Sequence, residues 1–384
     1  MGGGNELHIV VAPQEFKGSL SAQEVAEAMA QGARWALPGA RIEAIPLADG
    51  GPGMVEAVLA ARGGRRERAT VLDPLGRPVQ AEWGRLDDDS AVVEMAAAAG
   101  LWRLAPQERD PRLTTTYGVG QLLLAALDAR CRRLIVGLGG SATNDGGAGM
   151  ASALGARLLD AAGRDLPPGG GALAQLERID RSGLDPRLAE CQVIAATDVA
   201  NPLCGLEGAS LVYGPQKGAS PEVARQLDEA LCHYAQVIER DLGSAVLEAP
   251  GAGAAGGLGA GLIAFLGAEI HPGLGVVAGL VGLRQRLEDA DLLLTGEGRL
   301  DGQTGYGKTV ARVARIAQEL DVPVVVVPGS LGPGWEKLLP LVEGVEPVVR
   351  AAATLEESLA RPAELLARTT QRALRGWLRR EEIA

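Results

Sequence analysis

Histidine and cysteine are scarce in the sequence, and this scarcity limits the metal chemistry that the protein can perform. The 384 residues include three His and four Cys, namely His8, His233, His271, Cys131, Cys191, Cys204 and Cys232. None of them has a partner at the spacing of a zinc or redox motif, so we expect no histidine-ligated transition metal. Scattered thiols are typical of proteins that stay reduced, which favours a cytoplasmic location.

Long apolar runs and excess positive charge are also absent. No run reaches the ~18 apolar residues that a membrane span requires, and the short glycine-rich start has no features of a signal peptide. The net charge of -11 disfavours nucleic acid or an anionic membrane as the main partner. With 47% hydrophobic residues, the chain is expected to be a soluble globular protein that binds small molecules. A homo-oligomer remains open.

Lysine is rare relative to arginine. Only four of the 37 basic residues are lysines. Three of them lie in glycine-rich segments, which are EFKGS around Lys17, PQKGA around Lys217 and GYGKT around Lys308. A lysine is a compact point charge that suits contact with a phosphate group. We therefore predict that these three lysines contact phosphate, and we make no such prediction for Lys337.

The order of apolar and polar segments predicts an α/β fold. Short apolar runs alternate with helical patterns and glycine-rich turns, whereas from about 68 to 96 the pattern is typical of short antiparallel strands. The first and last thirds resemble each other. We therefore predict a discontinuous Rossmann-like domain formed by 1–70 plus 285–384, and an inserted second α/β domain at 71–284 with some antiparallel strands. Such enzymes usually bind substrate in the interdomain cleft, where we expect the active site.

Four glycine-bearing loops each follow a predicted strand, and each carries acidic residues. We call them loop 1 (47–53), loop 2 (137–149), loop 3 (196–205) and loop 4 (295–308). Ligands of open α/β sheets bind beyond the carboxyl ends of the strands, on such loops. Glycine amides beside carboxylates suit a phosphate group accompanied by Mg²⁺. The pattern favours phosphoryl transfer, with acidic candidates at Asp49, Asp145, Asp198, Glu297 and Asp301.

Two familiar nucleotide-binding strings fail on their context. Residues 302–309, GQTGYGKT, match the P-loop pattern, but six residues separate them from the preceding strand and the next strand lacks an acid at its end. Residues 251–256, GAGAAG, match a dinucleotide-binding pattern but follow Pro250 rather than a strand. We interpret the first as a coincidence of spelling and the second as a glycine-rich helix entry in a packed crossing.

Nine ordered segments resemble the bacterial glycerate kinase family nearly end to end. They are VVAPQEFKGSLSA, LADGG, TTTYGVG, GLGGSATNDGGAGM, LPPGGGAL, DVANPLCG, GPQKGA, PGAGAAGGLGAG and TGEGRLDGQT. The resemblance implies ATP- and Mg²⁺-dependent phosphorylation of D-glycerate, with the 2-hydroxyl favoured, to give 2-phosphoglycerate and ADP. It also implies two α/β domains, one of them Rossmann-like and built from both ends of the chain.

The chain departs from the family pattern at two places. Gln14 and Glu15 stand where the family usually has an Asp-Ser pair, and Pro52, Gly53 and Met54 stand where it usually has Glu-Gly-Thr. A metal or substrate role at those positions is therefore not expected. A glycerate 3-kinase, a kinase of another small hydroxy acid, and a nucleotide- or phosphate-binding protein without catalysis remain open.

We assign candidate roles to individual residues as follows. Asp198 is the first choice for catalytic base or metal ligand, and Lys17, Asp145 and Asp301 are the other catalytic candidates. The candidate Mg²⁺ ligands are Asp198, Glu297 and Asp301. The candidate substrate- and phosphate-binding residues are Lys17, Gly18, Ser19, Asp49, Gly50, Gly51, Thr115, Thr116, Gly139, Gly140, Ser141, Thr143, Asn144, Gly146, Gly147, Asn201, Gln216, Lys217, Glu297, Gln303, Thr304 and Lys308.

Overall fold

The computed structural model describes residues 6–302, 309–349 and 360–381, and it confirms the mixed α/β fold. The strands are β1 (His8–Val11), β2 (Arg41–Ala44), β3 (Arg65–Leu72), β4 (Pro78–Arg85), β5 (Ser90–Glu94), β6 (Arg133–Gly137), β7 (Arg157–Leu159), β8 (Arg178–Asp180), β9 (Gln192–Ala196), β10 (Glu269–His271), β11 (Leu292–Thr295), β12 (Arg299–Leu300), β13 (Val324–Val326), β14 (Ser330–Leu331) and β15 (Gly344–Val345). The helices are α1 (Ala22–Ala36), α2 (Met54–Arg62), α3 (Met95–Ala99), α4 (Tyr117–Asp128), α5 (Ala148–Ala153), α6 (Ala209–Tyr213), α7 (Pro221–Leu242), α8 (Ala254–Leu266), α9 (Gly273–Leu280), α10 (Leu283–Leu287), α11 (Thr309–Gln318) and α12 (Pro362–Glu381). Within these ranges no helix combines the length and the apolar character that a membrane crossing requires.

The chain divides into two compact units. The first unit comprises the described parts of Met1–Ala48, Glu56–Arg62 and Val277–Ala384, and the second unit comprises Asp49–Val55 and Gly63–Val276. The division thus lies near 63 and 277, whereas the sequence pattern suggested boundaries at 70 and 285. The early boundary differs because β3 pairs with β4 along its whole length, so that all of β3 belongs to the second unit.

The first unit contains a parallel sheet in the order β15-β13-β11-β1-β2. Strand β1 lies between β11 and β2, with Ile9 opposite both Leu292 and Ile42, so strands from the two ends of the chain are direct neighbours. Helices α1 and α12 pack together, and their residues Met29 and Leu374 share one apolar core with Ile9. Counted along the chain, this is the order 2-1-3-4-5 of a doubly wound parallel sheet, which is the flavodoxin-like variant of the expected Rossmann-like class.

The second unit contains a mixed sheet in the order β10-β9-β6-β5-β4-β3. Strands β5, β6, β9 and β10 run parallel, while β3, β4 and β5 pair antiparallel, as the sequence pattern from about 68 to 96 predicted. Because β6 and β9 are adjacent and parallel, loops 2 and 3 leave the same edge of the sheet.

Helix starts follow their sequence signals. Ser21 and Glu24 form a reciprocal capping box at the start of α1, as their spacing predicts. The Ser220 hydroxyl accepts from the amide of Val223 at 3.2 Å, and Pro221 occupies the first turn of α7. Local polar residues therefore determine where these two helices begin.

Candidate functional site

Loops 1, 2 and 3 meet at the carboxyl edge of the second unit's sheet. The amide of Gly139 donates to the carbonyl of Gly50 at 3.2 Å, and the amide of Leu138 donates to the carbonyl of Ala196 at 3.0 Å. A Cβ atom on Gly50 would lie 2.6 Å from the Ala196 oxygen, closer than real Cβ atoms approach. Glycine is therefore required at this position so that the backbones can meet.

The outer part of loop 2 offers two adjacent backbone donors. Gly140 is exposed, whereas Ser141 is nearly buried, with 9% of its surface exposed. Within the described part of the chain neither of their amides has a hydrogen-bond acceptor, whereas the amide of Gly139 is taken by Gly50. Gly140 has a φ of +74°, a left-handed conformation that favours glycine. The pair can hold an anionic oxygen.

The inner part of loop 2 is organised around Asp145, which is completely buried. Its Oδ2 accepts from the amide of Thr116 at 2.7 Å, from the Thr116 hydroxyl at 2.9 Å, from the amide of Gly149 at 3.2 Å and from the Thr115 hydroxyl at 3.3 Å. Its Oδ1 accepts from the amide of Gly147 at 3.2 Å. Burial raises the pKa of the Asp145 carboxyl, although these donors act in the opposite direction.

Lys217, which lies 74 residues after Thr143 in the chain, contacts the same loop. It is 1% exposed, and its Nζ donates to the carbonyl of Thr143 at 2.7 Å. Burial lowers the pKa of its ammonium group to about 7, and the nearby charge of Asp145 acts against this shift. The lysine is thus an internal donor to the backbone of loop 2.

Several of the predicted site residues lie inside the second unit. Thr115, Thr116, Thr143, Asn144, Asp145 and Lys217 are all buried side chains, each at most 4% exposed. The amides of Gly146 and Gly147, expected to hold phosphate, donate to the Gly256 carbonyl at 3.0 Å and to Asp145. Their polar atoms have partners or lie inside the unit, and Thr115 also lines a cavity with Gly149 and Ser152. Contact with phosphate at these positions stays a prediction, while the bonds described here support loop 2 from inside.

The candidates of loops 1 and 3 differ in exposure. Asp49 is half-buried, and its Oδ1 accepts from the amide of Gly51 at 3.1 Å, so it shapes loop 1. Asp198 is exposed. Asn201 is half-buried and holds loop 3 closed, because its Nδ2 donates to the Glu207 carbonyl at 2.6 Å. Gln216, which precedes Lys217, is exposed.

Pro52 and Met54, which both depart from the family pattern, pack against loop 2 of the second unit. The buried side chain of Met54 ends 3.0 Å from where a Cβ of Gly137 would lie. The exposed ring of Pro52 lies 3.2 Å from where a Cβ of Gly140 would lie. Met54 thus contributes to the core, and Pro52 borders Gly140.

The first unit carries a second group of candidates at the carboxyl ends of β1 and β11. Lys17, Gly18 and Ser19 are exposed. The amide of Gln14 donates to the carbonyl of Gly296 at 2.9 Å, and a Cβ of Gly298 would lie 3.4 Å from the amide nitrogen of Lys17. The segment around Lys17 therefore lies beside loop 4, whose acids Glu297 and Asp301 are both half-buried.

The remaining predictions concern loop 4 and the metal ion. Gln303, Thr304 and Lys308 lie outside the described residues, as does most of the P-loop-like string. In the described ranges, no three His, Cys, Asp or Glu side chains are grouped as a metal site. Glu297 and Asp301 belong to the first unit and Asp198 to the second, so their joint role in binding Mg²⁺ stays a prediction.

The glycine-rich start of α8 packs against loop 2. Gly256 and Gly257 have φ angles of +69° and +88°. A Cβ on Gly256 would lie 1.9 Å from the Thr143 carbonyl oxygen, and a Cβ on Gly257 would lie 2.8 Å from the Cα of Gly146. These glycines allow two backbones to touch, which is the interpretation that the sequence favoured over a dinucleotide site.

Sequence reasoning missed Tyr234 of α7. Its ring packs so closely on Gly146 that a Cβ there would lie 2.5 Å from the ring. Its hydroxyl is buried and has no hydrogen-bond partner among the described residues. Burial, and then the charge of Asp145, raises its pKa well above the ordinary value. The only signal in the sequence was a polar aromatic on the apolar face of an amphipathic helix.

Comparisons with known proteins agree with this architecture. The pattern of the glycerate kinase family matches residues 9–378. A protein of Escherichia coli named glycerate 2-kinase is 49% identical over 85% of this chain and 86% of its own length. A glycerate kinase of Halalkalibacterium halodurans is 47% identical over 92% of this chain and 96% of its own length. A crystal structure assigned as glycerate kinase 2 of Salmonella typhimurium LT2 superimposes with a TM-score of 0.88 and 47% identity, covering 99% of this chain and all of that one. Because the family pattern spans nearly the whole sequence, this protein belongs to the glycerate kinase family.

Proposed function

We propose that the protein transfers the γ-phosphoryl group of ATP to the 2-hydroxyl of D-glycerate and releases 2-phosphoglycerate and ADP. The observation that carries this proposal is its 49% identity, over 85% of the chain, to a relative named glycerate 2-kinase. The amides of Gly140 and Ser141, which have no acceptor among the described residues, support it, because both substrates are anions and the protein carries a net charge of -11. Such a protein needs local donors to hold negative oxygens.

Asp198 is the proposed general base. Its exposed carboxylate lies in loop 3, and loop 3 leaves the same sheet edge as the donors of loop 2. As the glycerate oxygen bonds to the γ-phosphorus, the bond from that phosphorus to the ADP oxygen breaks and the hydroxyl proton passes to the carboxylate. Gly140 and Ser141 would hold a phosphoryl or carboxylate oxygen. Lys17, exposed in the first unit, and Lys308 keep their proposed roles in holding phosphates.

The donor chemistry of the candidate ligands fits Mg²⁺. This ion prefers hard oxygen ligands and is usually held by one or two carboxylates together with substrate phosphates and water. Glu297 and Asp301, and Asp198 in the alternative in which it is a ligand rather than the base, are carboxylates that lie at least partly at the surface. When bound, the ion would neutralise part of the charge on the phosphates.

The proposed substrate and regiochemistry can be tested together. The wild-type protein is incubated with ATP, Mg²⁺ and a panel of hydroxy acids that includes D-glycerate, L-glycerate and lactate, and ADP release is measured. The product is then examined by proton-coupled phosphorus NMR. Phosphate on the 2-hydroxyl couples to one carbon-bound proton and gives a doublet, whereas phosphate on the 3-hydroxyl couples to two and gives a triplet. A triplet would identify a 3-kinase, and release of ADP with another acid alone would overturn the proposed substrate.

The proposed residue roles are tested by two substitutions with matched controls. Asp198→Asn should lower kcat by at least about 100-fold, within the range of a lost general base, while Asp87→Asn, an exposed change in the same unit, should not. Lys17→Ala should raise KM for ATP or glycerate, while Lys337→Ala should not. Circular dichroism confirms folding of each variant. Near-wild-type kcat/KM in both test variants would contradict the assignment.

A further inference from the structure

Lys217 is the one lysine in the described glycine-rich segments that is not at the surface. Lys17 is exposed and Lys337 is exposed, whereas Lys217 is 1% exposed and directs its Nζ at the Thr143 carbonyl, 2.7 Å away. A buried ammonium group is costly unless it is hydrogen-bonded. The position therefore serves something inside the second unit.

We propose that Lys217 is a positioning residue, which anchors the inner half of loop 2 at the Thr143 carbonyl and so supports the adjoining amides of Gly140 and Ser141. The catalytic part of this inference rests on the proposed kinase function, whereas the effect on the loop does not.

The geometry shows loop 2 held at successive residues from different elements. Thr143 is held at its carbonyl by Lys217, Asp145 accepts five hydrogen bonds, and Gly146 donates to the Gly256 carbonyl at 3.0 Å. The outer residues lie only two and three positions before Thr143 along the chain. They have contacts of their own, since the amide of Leu101 donates to the Gly140 carbonyl and the amide of Ala142 donates to the Ala99 carbonyl, both at 2.9 Å. Release of the Thr143 carbonyl would therefore loosen 142–147 and remove one of the contacts that support the donors next to it.

The chemistry of this pocket suits a lysine better than an arginine. An arginine would bring a permanently charged group with five donors into a buried site. The described acceptor of the lysine is a single carbonyl, and the Thr143 hydroxyl and the Asn144 Oδ1 nearby have no described partner. A primary amine can donate to that carbonyl in either protonation state, and burial lowers its pKa to about 7.

A direct phosphate contact makes different predictions from a positioning role. If Lys217 bound phosphate through its charge, no neutral residue could replace it. Nucleotide affinity would then fall in every variant that lacks the charge. A positioning lysine acts through hydrogen-bond donation, so a neutral donor of similar length should restore part of the function. Lys217→Gln retains an N–H donor, whereas Lys217→Met retains only the shape.

The experiment compares Lys217→Met, Lys217→Gln and the control Lys337→Met in the full-length protein. Hydrogen exchange of the segment 142–147 should be about tenfold faster in Lys217→Met, which is the effect of one lost charge-assisted hydrogen bond. It should be intermediate in Lys217→Gln and unchanged in Lys337→Met. Glycerate-dependent kcat/KM should fall about tenfold in Lys217→Met, mainly through kcat, and Lys217→Gln should recover part of it.

Several outcomes would overturn the inference. Unchanged exchange in Lys217→Met would mean that the lysine does not hold the loop. Equal losses in the Met and Gln variants, with a matching loss of ADP affinity, would assign the lysine to phosphate binding. Global unfolding of both variants would assign it to overall stability. Absence of kinase activity in the wild type would contradict the proposed function alone, since the exchange measurement needs no substrate.

Discussion

Asp145→Asn is the substitution for which the structure predicts the clearest division between stability and catalysis. The side chain keeps its shape but exchanges one carboxylate oxygen for an NH₂ group. With the amide oxygen facing Thr116, the NH₂ group faces the amide of Gly147, which now donates to Oδ1 at 3.2 Å. One hydrogen bond to a charged group is lost, at about 1.5–3 kcal/mol, and a buried donor is left without an acceptor, at about 1–3 kcal/mol. Removal of a buried charge offsets part of this, so we expect a net loss of about 2–4 kcal/mol in the free energy of unfolding.

Equilibrium unfolding in urea, followed by circular dichroism and by tryptophan fluorescence, measures this loss; the buried Trp83 of the second unit is one of the five tryptophans that contribute to the second probe. Two probes are needed because a chain of two units can unfold in more than one step. The matched control is Asp198→Asn, an exposed change for which we expect less than about 0.5 kcal/mol. If Asp145→Asn were as stable as wild type and yet lost kcat/KM by 100-fold or more, a direct catalytic role would replace the structural one.

Three further predictions concern the same part of the second unit. Gly256→Ala would bring a Cβ within 1.9 Å of the Thr143 oxygen, so we expect a loss of about 3 kcal/mol in urea unfolding, and a loss below about 1 kcal/mol would contradict the close approach. A Cβ in Gly140→Ala would lie 3.2 Å from the Pro52 ring and 3.3 Å from the Ala96 Cβ, at a residue with a positive φ. We therefore expect a loss of about 1–2 kcal/mol in the free energy of unfolding and a higher KM for an anionic substrate; an unchanged KM would mean that its amide holds no anion. Because the pKa of Lys217 is lowered from 10.5 to about 7, the unfolded chain binds more protons than the folded one between these pH values. Wild type should therefore gain stability relative to Lys217→Met as pH rises from 7 to 10.5, by up to about 1.4 kcal/mol per pH unit, and a flat difference in urea titrations would contradict the shift. Asp145 and Tyr234, which also face this interior, remain in both proteins of that comparison.

Much of the fold was readable from the sequence because its signals are local. The Ser21 and Glu24 pair marks a helix start through contacts three residues apart, and the apolar run of β11 marks a buried strand by its composition alone. The boundary near 70 was less readable. The pairing of β3 with β4 joins Arg65 to Arg85, and such a contact leaves no mark within a short window.

Exposure of the polar candidates was the least readable property of the site. Asp145 and Asp198 both follow strands in glycine-bearing loops, and their sequence surroundings predicted similar roles. One is completely buried and accepts five hydrogen bonds, while the other is exposed. The donors that enclose Asp145 come in part from Thr115 and Thr116, about thirty residues away, so no local pattern could indicate them.

The sequence by itself determined the family and the α/β class, and it predicted a discontinuous domain and the loops in which chemistry is expected. These depend on residue type and spacing, which are properties of short segments. Only the tertiary structure decided which lysines and aspartates are exposed and which glycine amides already have an acceptor, because both depend on contacts between segments that are distant in the chain. Lys217 illustrates the difference: its glycine-rich surroundings predicted a phosphate ligand, and the fold buries its amine against the Thr143 carbonyl.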